Sequence, residues 1–236
     1  MVERDGRKIR AMFDAIAPTY DFLNHLLSFS IDRHWRRVTR EQLESRLGPC
    51  TRILDLCTGT GDLALEMAKL GPVTACDFSR PMLLRGMRKV QRRAPANPIL
   101  FLQSDALTLP FPSRTFQAVT IAFGLRNLED YGRGLQEVAR VLQAGGYLAV
   151  LEFAVPDSRI FGAFYRVYFE RLLPLVGGLI SGRIHSYRYL PESVKGFPRG
   201  VELERLFVDA GFATPDLLRL SAGIAQVYVA QKQQDW

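Results

Sequence analysis

The 236-residue sequence predicts an α/β fold with a mostly parallel β-sheet that is covered by helices on both faces. Short apolar runs alternate with segments of about 10–15 residues that have helical spacing, which is typical of β-α-β units. The apolar runs are nearly continuous, as expected of parallel strands whose two faces are both buried. The composition, 47% hydrophobic and 23% charged, is ordinary for a globular protein, and the length suits a single domain over residues 1–236.

The first 48 residues predict a helical cap that precedes the sheet. Apolar residues recur at helical spacing over residues 7–16, which predicts an amphipathic helix. The residues with this spacing are Ile9, Met12, Phe13 and Ile16. A second helix is expected over residues 31–47, because the Gly48-Pro49 pair would end it.

The alternating part of the chain follows this cap. The expected strands are 53–57, 73–76, 99–103, 116–122 and 147–153, and the expected helices are 63–70, 81–93 and 133–143. After residue 153 the pattern breaks, and residues 154–199 are expected to form an insertion, rich in aromatic residues, that covers a substrate. A helix over 201–210 comes next. The last two strands, 213–220 and 225–231, are so close in sequence that they predict an antiparallel hairpin at the sheet edge.

The formal net charge of the chain is +7, and its basic residues occur in clusters. Such clusters favour anionic partners such as lipid headgroups, although a solvated helix face is the alternative for each of them. The clusters lie in residues 4–10, 33–40 and 80–93. Because the sequence has no zinc-finger or RNA-binding aromatic pattern, no nucleic-acid partner is expected.

Three cysteines, Cys50, Cys57 and Cys76, form no CxxC pair. Their spacing argues against a zinc site or a disulfide framework and favours a reducing cytoplasm. No apolar run approaches the roughly 20 residues that a membrane span needs. We therefore expect a cytoplasmic protein without a bound metal, which meets a membrane only as a peripheral protein at the surface.

A glycine-rich loop, Thr58-Gly59-Thr60-Gly61-Asp62, follows the first expected strand. Gly59 and Gly61 can adopt backbone angles that other residues avoid, and they let a ligand approach the chain closely. Such loops bind ligands at the carboxyl ends of the strands of an open α/β sheet. The spacing also matches a dinucleotide fingerprint, so this pattern alone leaves an NAD-binding oxidoreductase open. Asp77, after the second strand, could hold ribose hydroxyls with either cofactor.

Acidic residues around the loop favour S-adenosyl-L-methionine over NAD. Asp55 and Asp62 flank the loop, where they would repel a pyrophosphate but suit a sulfonium or ammonium cation. Asp105, followed by Ala106 after the third strand, can accept a hydrogen bond from an adenine amino group. Two structural roles are the alternatives: Asp55 could bond loop amides, and Asp105 could stabilise a turn.

Longer segments, spread over nearly the whole chain, resemble the ubiquinone/menaquinone biosynthesis C-methyltransferase family. The segments are Met12-Phe13-Asp14-Ala15-Ile16-Ala17-Pro18-Thr19-Tyr20-Asp21, His34-Trp35-Arg36, Leu54-Asp55-Leu56-Cys57-Thr58-Gly59-Thr60-Gly61-Asp62, Ala122-Phe123-Gly124-Leu125-Arg126-Asn127, Leu151-Glu152-Phe153 and Ser186-Tyr187-Arg188-Tyr189-Leu190. The glycine loop is shared by many methyltransferases, whereas the segments ending at Asn127 and Leu190 are more specific. The resemblance implies the Rossmann-like class I S-adenosylmethionine methyltransferase fold, a mostly parallel seven-stranded sheet with a C-terminal antiparallel hairpin.

The resemblance also implies cofactor contacts at the positions of Thr60, Asp77, Asp105 and Ala106. The expected cofactor site is completed by Asp55, Gly59, Gly61, Phe78 and Ala122. Members of the family often carry serine where this chain has Ala122. Any contact from that hydroxyl is therefore absent here, whereas a backbone contact could survive.

The family's reaction implies a prenylated quinol substrate. Because a quinone ring is electron-poor, it must be reduced, and loss of a ring-hydroxyl proton then makes the adjacent carbon nucleophilic. Arg126 and Asn127, just past the fourth strand, are the expected catalytic residues. Arg126 would stabilise a phenolate oxygen, and Asn127 would bond the second ring oxygen. The alternative for Arg126 is an ion pair with Glu129 or Asp130.

The expected substrate-binding residues are Tyr20, His34, Phe123, Tyr187 and Tyr189. A base, where one is needed, could be Tyr20, His34, Tyr187 or His185, which the sequence does not rank. A naphthoquinol of menaquinone or phylloquinone synthesis is the expected ring, with a benzoquinol of ubiquinone synthesis as the alternative. The cap and the insertion could together enclose the prenyl tail and open on a membrane, or they could pack on the sheet or on a partner subunit in a homodimer.

Overall fold

A computed structural model describes residues 5–28, 30–48, 51–156 and 184–234 of the chain. These ranges contain eight α-helices and a seven-stranded sheet. The helices are α1 (Gly6–Ile16), α2 (Tyr20–Leu27), α3 (Ile31–Glu44), α4 (Asp62–Met67), α5 (Arg80–Arg93), α6 (Tyr131–Val141), α7 (Ile184–Lys195) and α8 (Val201–Asp209). The strands are β1 (Ile53–Leu56), β2 (Val73–Asp77), β3 (Ile99–Gln103), β4 (Phe116–Ala122), β5 (Leu142–Phe153), β6 (Asp216–Leu220) and β7 (Ala225–Gln231).

The sheet has the strand order β3-β2-β1-β4-β5-β7-β6, which confirms the expected fold class. The first five strands are parallel, and β7 runs antiparallel between β5 and β6. Leu56, the last residue of β1, lies beside Cys76 of β2 and Ile121 of β4. The loops that leave these three strands therefore meet at one edge, where open α/β sheets bind their ligands.

Both faces of the sheet are buried, as the continuous apolar strands predict. In β1, Leu54 and Leu56 face the cluster that contains Leu135 of α6 and Phe207 of α8. Ile53 faces the opposite cluster, which is built on the helices α3 and α4. Because helices cover both faces, the functional groups can only gather at the ends of the strands.

The strand β5 starts earlier than the sequence pattern predicts. The Gly145-Gly146 pair lies within the strand instead of before it, and the register between β4 and β5 shifts between Phe116 and Ala118. Gly145 has a φ of 73°, and a Cβ on Gly146 would lie 2.8 Å from the carbonyl oxygen of Gln117. The two glycines therefore accommodate an irregularity in the strand, where the sequence pattern predicted a turn.

Two helices were not expected from the sequence. The short helix α2 joins α1 to α3, so the cap contains three helices. Helix α7 occupies the end of the expected insertion, of which residues 157–183 lie outside the described ranges. The helical backbone of α7 includes Pro191.

None of the helices in the described ranges is both long enough and apolar enough to span a membrane.

Candidate active site

A cavity of about 550 Å³ opens at the carboxyl ends of β1, β2 and β4 and is covered by residues of helix α1. Its volume is in the range of small-molecule binding sites. Nine of the residues predicted from the sequence line it: Tyr20, Gly59, Asp77, Phe78, Asp105, Ala106, Ala122, Phe123 and Asn127. The fold thus gathers residues from the cap and from four separate loops in one place.

The glycine loop has the unusual backbone that its sequence indicates. Gly59 and Gly61 have φ values of +57° and +81°, in the left-handed region that favours glycine. Cys57 also has a positive φ, of 55°, and its side chain packs tightly against Gly124. Gly59 donates its backbone N–H to an Asp77 carboxylate oxygen at 2.8 Å, which joins the first loop to the second.

Asp77 is the acid at the end of β2, and it lies on the cavity wall. It accepts backbone N–H groups from Gly59 and Ser79, each at 2.8 Å. Burial raises the pKa of Asp77, although these amide hydrogen bonds act in the opposite direction. A carboxylate has about four acceptor positions, so Asp77 keeps capacity for the ribose hydroxyls of a nucleoside.

The groups beside Asp77 are those that could hold the adenine end of a nucleoside cofactor. Phe78 presents an aromatic ring that is 36% exposed, and the guanidinium of Arg10 lies 5.1 Å from the ring centroid. Asp105 accepts the Leu107 backbone N–H at 2.9 Å, so it stabilises a turn as the alternative interpretation held. Asp105 and Ala106 also line the cavity, so the carboxylate can serve both purposes.

Three residues of the expected cofactor site, Asp55, Thr60 and Gly61, do not line this cavity. Asp55 is buried and accepts the hydroxyls of Thr58 at 2.5 Å and Thr120 at 2.6 Å. Burial raises its pKa to about 6, despite these two hydrogen bonds. Asp55 thus stabilises the start of the glycine loop through its hydrogen bonds to Thr58 and Thr120. A contact between Asp55 and the cofactor stays a prediction.

Thr60 connects the loop to the helical cap. Its hydroxyl donates to Asp21 of α2 at 2.5 Å and accepts from the Lys89 ammonium at 2.9 Å. Lys89 also pairs with Asp21 and Asp62, each at 2.7 Å. Burial would raise the pKa of Asp62, but the cations of Arg36 and Lys89 hold it below its ordinary value. The polar side of the glycine loop therefore holds helix α2 in place.

Arg126 is buried on the turn after β4 and does not line the cavity. Its guanidinium pairs with Glu152 of β5 at 2.8 Å, so its partner is neither Glu129 nor Asp130. It also donates to the Phe123 carbonyl and, at 3.3 Å, to the Ser193 hydroxyl of α7. Glu152 further accepts the Arg126 backbone N–H at 3.1 Å. In the sequence, an acid inside the apolar run of β5 is the signal that could have identified this ion pair.

Asn127, Phe123 and Tyr20 form the part of the cavity expected to receive a substrate. The Phe123 ring stacks on Phe153 at a centroid distance of 4.3 Å. Burial raises the pKa of the Tyr20 hydroxyl, an effect that Asn24 and Arg126 partly oppose. Tyr20 is therefore a neutral phenol at neutral pH, suited to donating a hydrogen bond.

The other expected substrate residues lie elsewhere or are not described. His34 is exposed and accepts a hydrogen bond from Arg37 at 3.1 Å, because its neighbours Trp35 and Arg36 occupy the inward face of α3. Tyr189 donates its hydroxyl to Asn127 at 3.1 Å and does not line the cavity. The side chains of Tyr187 and His185 lie outside the described part of the chain, as does Cys50.

Sequence reasoning missed two residues that connect the cap to the cofactor loops. Lys89 was assigned only to a basic cluster, yet it joins α5 to α2 and to the glycine loop. Ser79 begins α5, accepts the Met82 backbone N–H and donates to Asp14 of α1 at 2.5 Å. Because a serine two residues before a proline is a typical helix start, the sequence could have indicated that Ser79 begins α5.

Comparison with known proteins agrees with this geometry. The model of the ubiE/COQ5 methyltransferase family matches residues 1–232. The demethylmenaquinone methyltransferase of Thermus thermophilus is 50% identical, covering 94% of this chain and 100% of that protein. The ubiquinone/menaquinone biosynthesis C-methyltransferase UbiE of Geotalea uraniireducens is 44% identical, covering 96% of this chain and 97% of that protein.

Solved structures share the fold at low sequence identity. A SAM-dependent methyltransferase from Aquifex aeolicus superposes with a TM-score of 0.60 at 19% identity, covering 81% of this chain and 88% of that one. The [4+2]-cyclase SpnF gives a TM-score of 0.66 at 16% identity, covering 100% and 98%. The family match, unlike these fold matches, decides between the two cofactors that the glycine loop left open. The chain belongs to the ubiE/COQ5 methyltransferase family and is an S-adenosylmethionine-dependent methyltransferase.

Proposed function

We propose that this protein methylates a ring carbon of a prenylated naphthoquinol. The observation that carries the proposal is the cavity itself, in which Tyr20 and Asn127, two neutral hydrogen-bond donors, lie in the same space as Asp77 and Asp105. Relatives from Thermus thermophilus and Deinococcus radiodurans, at 50% and 42% identity, bear the name demethylmenaquinone methyltransferase. Others at 44% identity are named for ubiquinone and menaquinone together, which keeps a benzoquinol as the alternative ring.

The residues at the strand ends suit the cofactor. Asp77 would hold the ribose hydroxyls, Asp105 the adenine amino group, and Phe78 the adenine face, while Gly59 leaves room beside them. When bound, S-adenosylmethionine supplies an electrophilic methyl group, which the ring carbon takes up in exchange for its own hydrogen, lost as a proton. Helix α1 covers part of the cavity, beside the residues that would hold the cofactor.

The protein's contribution to the chemistry is to stabilise the phenolate form of the quinol. Tyr20 would donate its hydroxyl proton in a hydrogen bond to one ring oxygen, and the Asn127 amide would donate to the other. Arg126 would act through Tyr20, because its buried charge lowers the pKa of that phenol and makes it a stronger donor. Since burial keeps Tyr20 protonated, we assign it a donor role, and the quinol proton would leave to water.

A membrane-facing role, expected from the sequence, belongs to this proposal. Three large apolar side chains are exposed around the junction of α2 and α3: Phe22, Leu26 and Ile31, at 60%, 43% and 42%. Arg33 and Arg37 are exposed on the adjoining turns of α3. Apolar side chains beside cations suit a surface of anionic lipid, where a prenylated substrate resides. The cytoplasmic location and the homodimer remain predictions.

A substrate panel tests the proposal. Purified protein would be given S-adenosylmethionine with prenylated naphthoquinones and benzoquinones that lack the methyl group, each oxidised and reduced, and products would be identified by mass. We expect one added methyl group on the reduced naphthoquinone and much slower turnover of the other three. Equal or faster turnover of the benzoquinol would assign the alternative ring, and turnover of neither quinol would refute the proposed function.

A further inference from the structure

The side-chain amide of Asn127 is held between the turn after β4 and helix α7. We infer that Tyr189 is a positioning residue, which orients this amide so that an N–H group faces the cavity. The inference rests on the proposed function, in which Asn127 donates a hydrogen bond to a ring oxygen. It assigns Tyr189 a role that differs from the substrate contact expected from the sequence.

The orientation of the amide follows from the chemistry of its two neighbours. The Phe123 carbonyl, 3.2 Å away, can only accept a hydrogen bond, so the group that faces it must be the Asn127 nitrogen. The amide oxygen then faces the Tyr189 hydroxyl at 3.1 Å, and Tyr189 must donate. Within the described part of the chain, the Asn127 amide nitrogen donates only one of its two N–H groups, to the Phe123 carbonyl. The second N–H group is left for a ligand in the cavity.

The first of these two anchors is rigid. Phe123 has a φ of 56°, and its carbonyl faces Asn127 in the turn after β4. Its backbone N–H donates to the Leu151 carbonyl at 2.7 Å. Its ring is stacked on Phe153 at 4.3 Å, and the same carbonyl also accepts from Arg126. The anchor at the nitrogen therefore belongs to the sheet and to the turn after β4.

The second anchor is supplied by helix α7. Tyr189 and Ser193 are one helical turn apart, so they lie on the same face of α7. Tyr189 contacts Asn127, and Ser193 accepts from the neighbouring Arg126 at 3.3 Å. Helix α7 therefore contacts two consecutive residues of the turn after β4, Arg126 and Asn127, and the second of these lines the cavity. Without the Tyr189 hydroxyl, the amide would be held at its nitrogen alone and could rotate away from the cavity.

Nuclear magnetic resonance tests the inference without any substrate. The chain has three asparagines, Asn24, Asn97 and Asn127, so labelling asparagine with 15N gives three pairs of side-chain signals. Loss of one pair in Asn127→Ala, or in Asn127→Leu if alanine is not tolerated, identifies Asn127. In Tyr189→Phe we expect this pair to shift and to exchange faster with water. Asn97, which donates to the Ala68 carbonyl at 2.9 Å, should stay unchanged as an internal reference. An Asn127 pair that is the same in Tyr189→Phe and in the wild type would overturn the inference.

A double-mutant cycle on turnover tests the same idea through the reaction. Tyr189→Phe should lower kcat for the quinol roughly threefold to tenfold, the effect of one hydrogen bond, and leave the KM for S-adenosylmethionine unchanged. In the Asn127→Ala background, Tyr189→Phe should have no further effect, because the group it orients is gone. The control is Tyr228→Phe, which removes a buried hydroxyl that bonds Gln226 outside the cavity.

The outcomes of the two experiments separate the two proposals. An equal effect of Tyr189→Phe in both backgrounds would show that Tyr189 acts independently of Asn127 and would overturn the inference. If the wild-type protein turned over no quinol, the proposed function would fail, and the resonance experiment would still decide whether Tyr189 orients the amide.

Discussion

Replacing Lys89 with methionine should weaken the attachment of helix α2 to the glycine loop, although the direct hydrogen bond from Thr60 to Asp21 remains. Lys89 holds Asp21 and Asp62 at 2.7 Å each and the Thr60 hydroxyl at 2.9 Å. Methionine keeps the length and apolar stem of lysine but removes the charge, so two carboxylates lose their shared cation. Tyr20 is the first residue of α2 and Asp21 follows it, so we expect a displacement of α2 to shift the Tyr20 hydroxyl in the cavity.

The free energy lost in the docking of α2 follows from the exposure of the three charged side chains. Hydrogen bonds to charged groups contribute about 1.5–3 kcal/mol when buried, whereas exposed ion pairs contribute about 0–1 kcal/mol. The Lys89, Asp62 and Asp21 side chains are 19%, 20% and 34% exposed, between these limits. We therefore expect a loss of about 2 kcal/mol in the docking of α2, which corresponds to a decrease of up to roughly 30-fold in kcat/KM for the quinol.

Steady-state kinetics and calorimetry together measure this effect. The affinity for S-adenosylhomocysteine should change less than about threefold, because Asp77 and Asp105 are anchored in the sheet and not in the cap. Lys69→Met is the matched control, since Lys69 forms a similar ion pair with Glu66 at 2.8 Å but is 56% exposed. If Lys89→Met changed the quinol kinetics no more than Lys69→Met does, the idea that this network places Tyr20 would be wrong.

Three further substitutions test other parts of the structure. Glu152→Gln leaves the buried Arg126 charge without its partner and should cost about 3 kcal/mol of unfolding free energy in denaturant titrations; a loss below about 1 kcal/mol would contradict the ion pair. Asp55→Asn removes a carboxyl whose pKa is raised to about 6. The protonated Asp55 carboxyl stabilises the wild type fully below the unfolded-state pKa of about 3.9, and this stabilisation is lost as the pH rises through the folded-state pKa of about 6. The unfolding free energy of the variant should therefore rise by about 2–3 kcal/mol relative to that of the wild type between about pH 4 and pH 7. A stability difference that does not depend on pH would refute this assignment. Gly124→Ala places a Cβ against Cys57, with the sulfur at 3.0 Å, and should lower stability by about 1–3 kcal/mol, with partial recovery in a Cys57→Gly background; full stability would mean that the two loops can separate freely.

The strands and most helices could be predicted because each depends on apolar spacing within a short segment. The strands β3 and β4 have the predicted bounds, and the C-terminal hairpin forms as expected. Helix α2 was missed because it is short and because polar residues interrupt its apolar positions. The start of β5 was misplaced since a glycine pair usually marks a turn, and only the neighbouring strand β4 shows that it lies within a strand.

Site residues were predictable where their position follows from a strand end. Asp77 ends β2, Asp105 and Asn127 lie on the segments that follow β3 and β4, and all three line the cavity. Residues whose environment depends on distant partners were not predictable in this way. The ion pair of Arg126 with Glu152 and the contact of Lys89 with the cap exist only because the fold brings remote segments together. His34 shows a different limit, since its sequence neighbours Trp35 and Arg36 face inward while it faces solvent.

The most direct measurement of the central claim is methyl transfer from isotopically labelled S-adenosylmethionine to one prenylated naphthoquinone, presented reduced and oxidised to the wild type, Tyr20→Phe and Asn127→Ala. The account predicts label on a ring carbon of the reduced form only, with turnover lowered in both variants while S-adenosylhomocysteine binding is retained. Label on an oxygen, transfer to the oxidised ring, or undiminished turnover in both variants would contradict it.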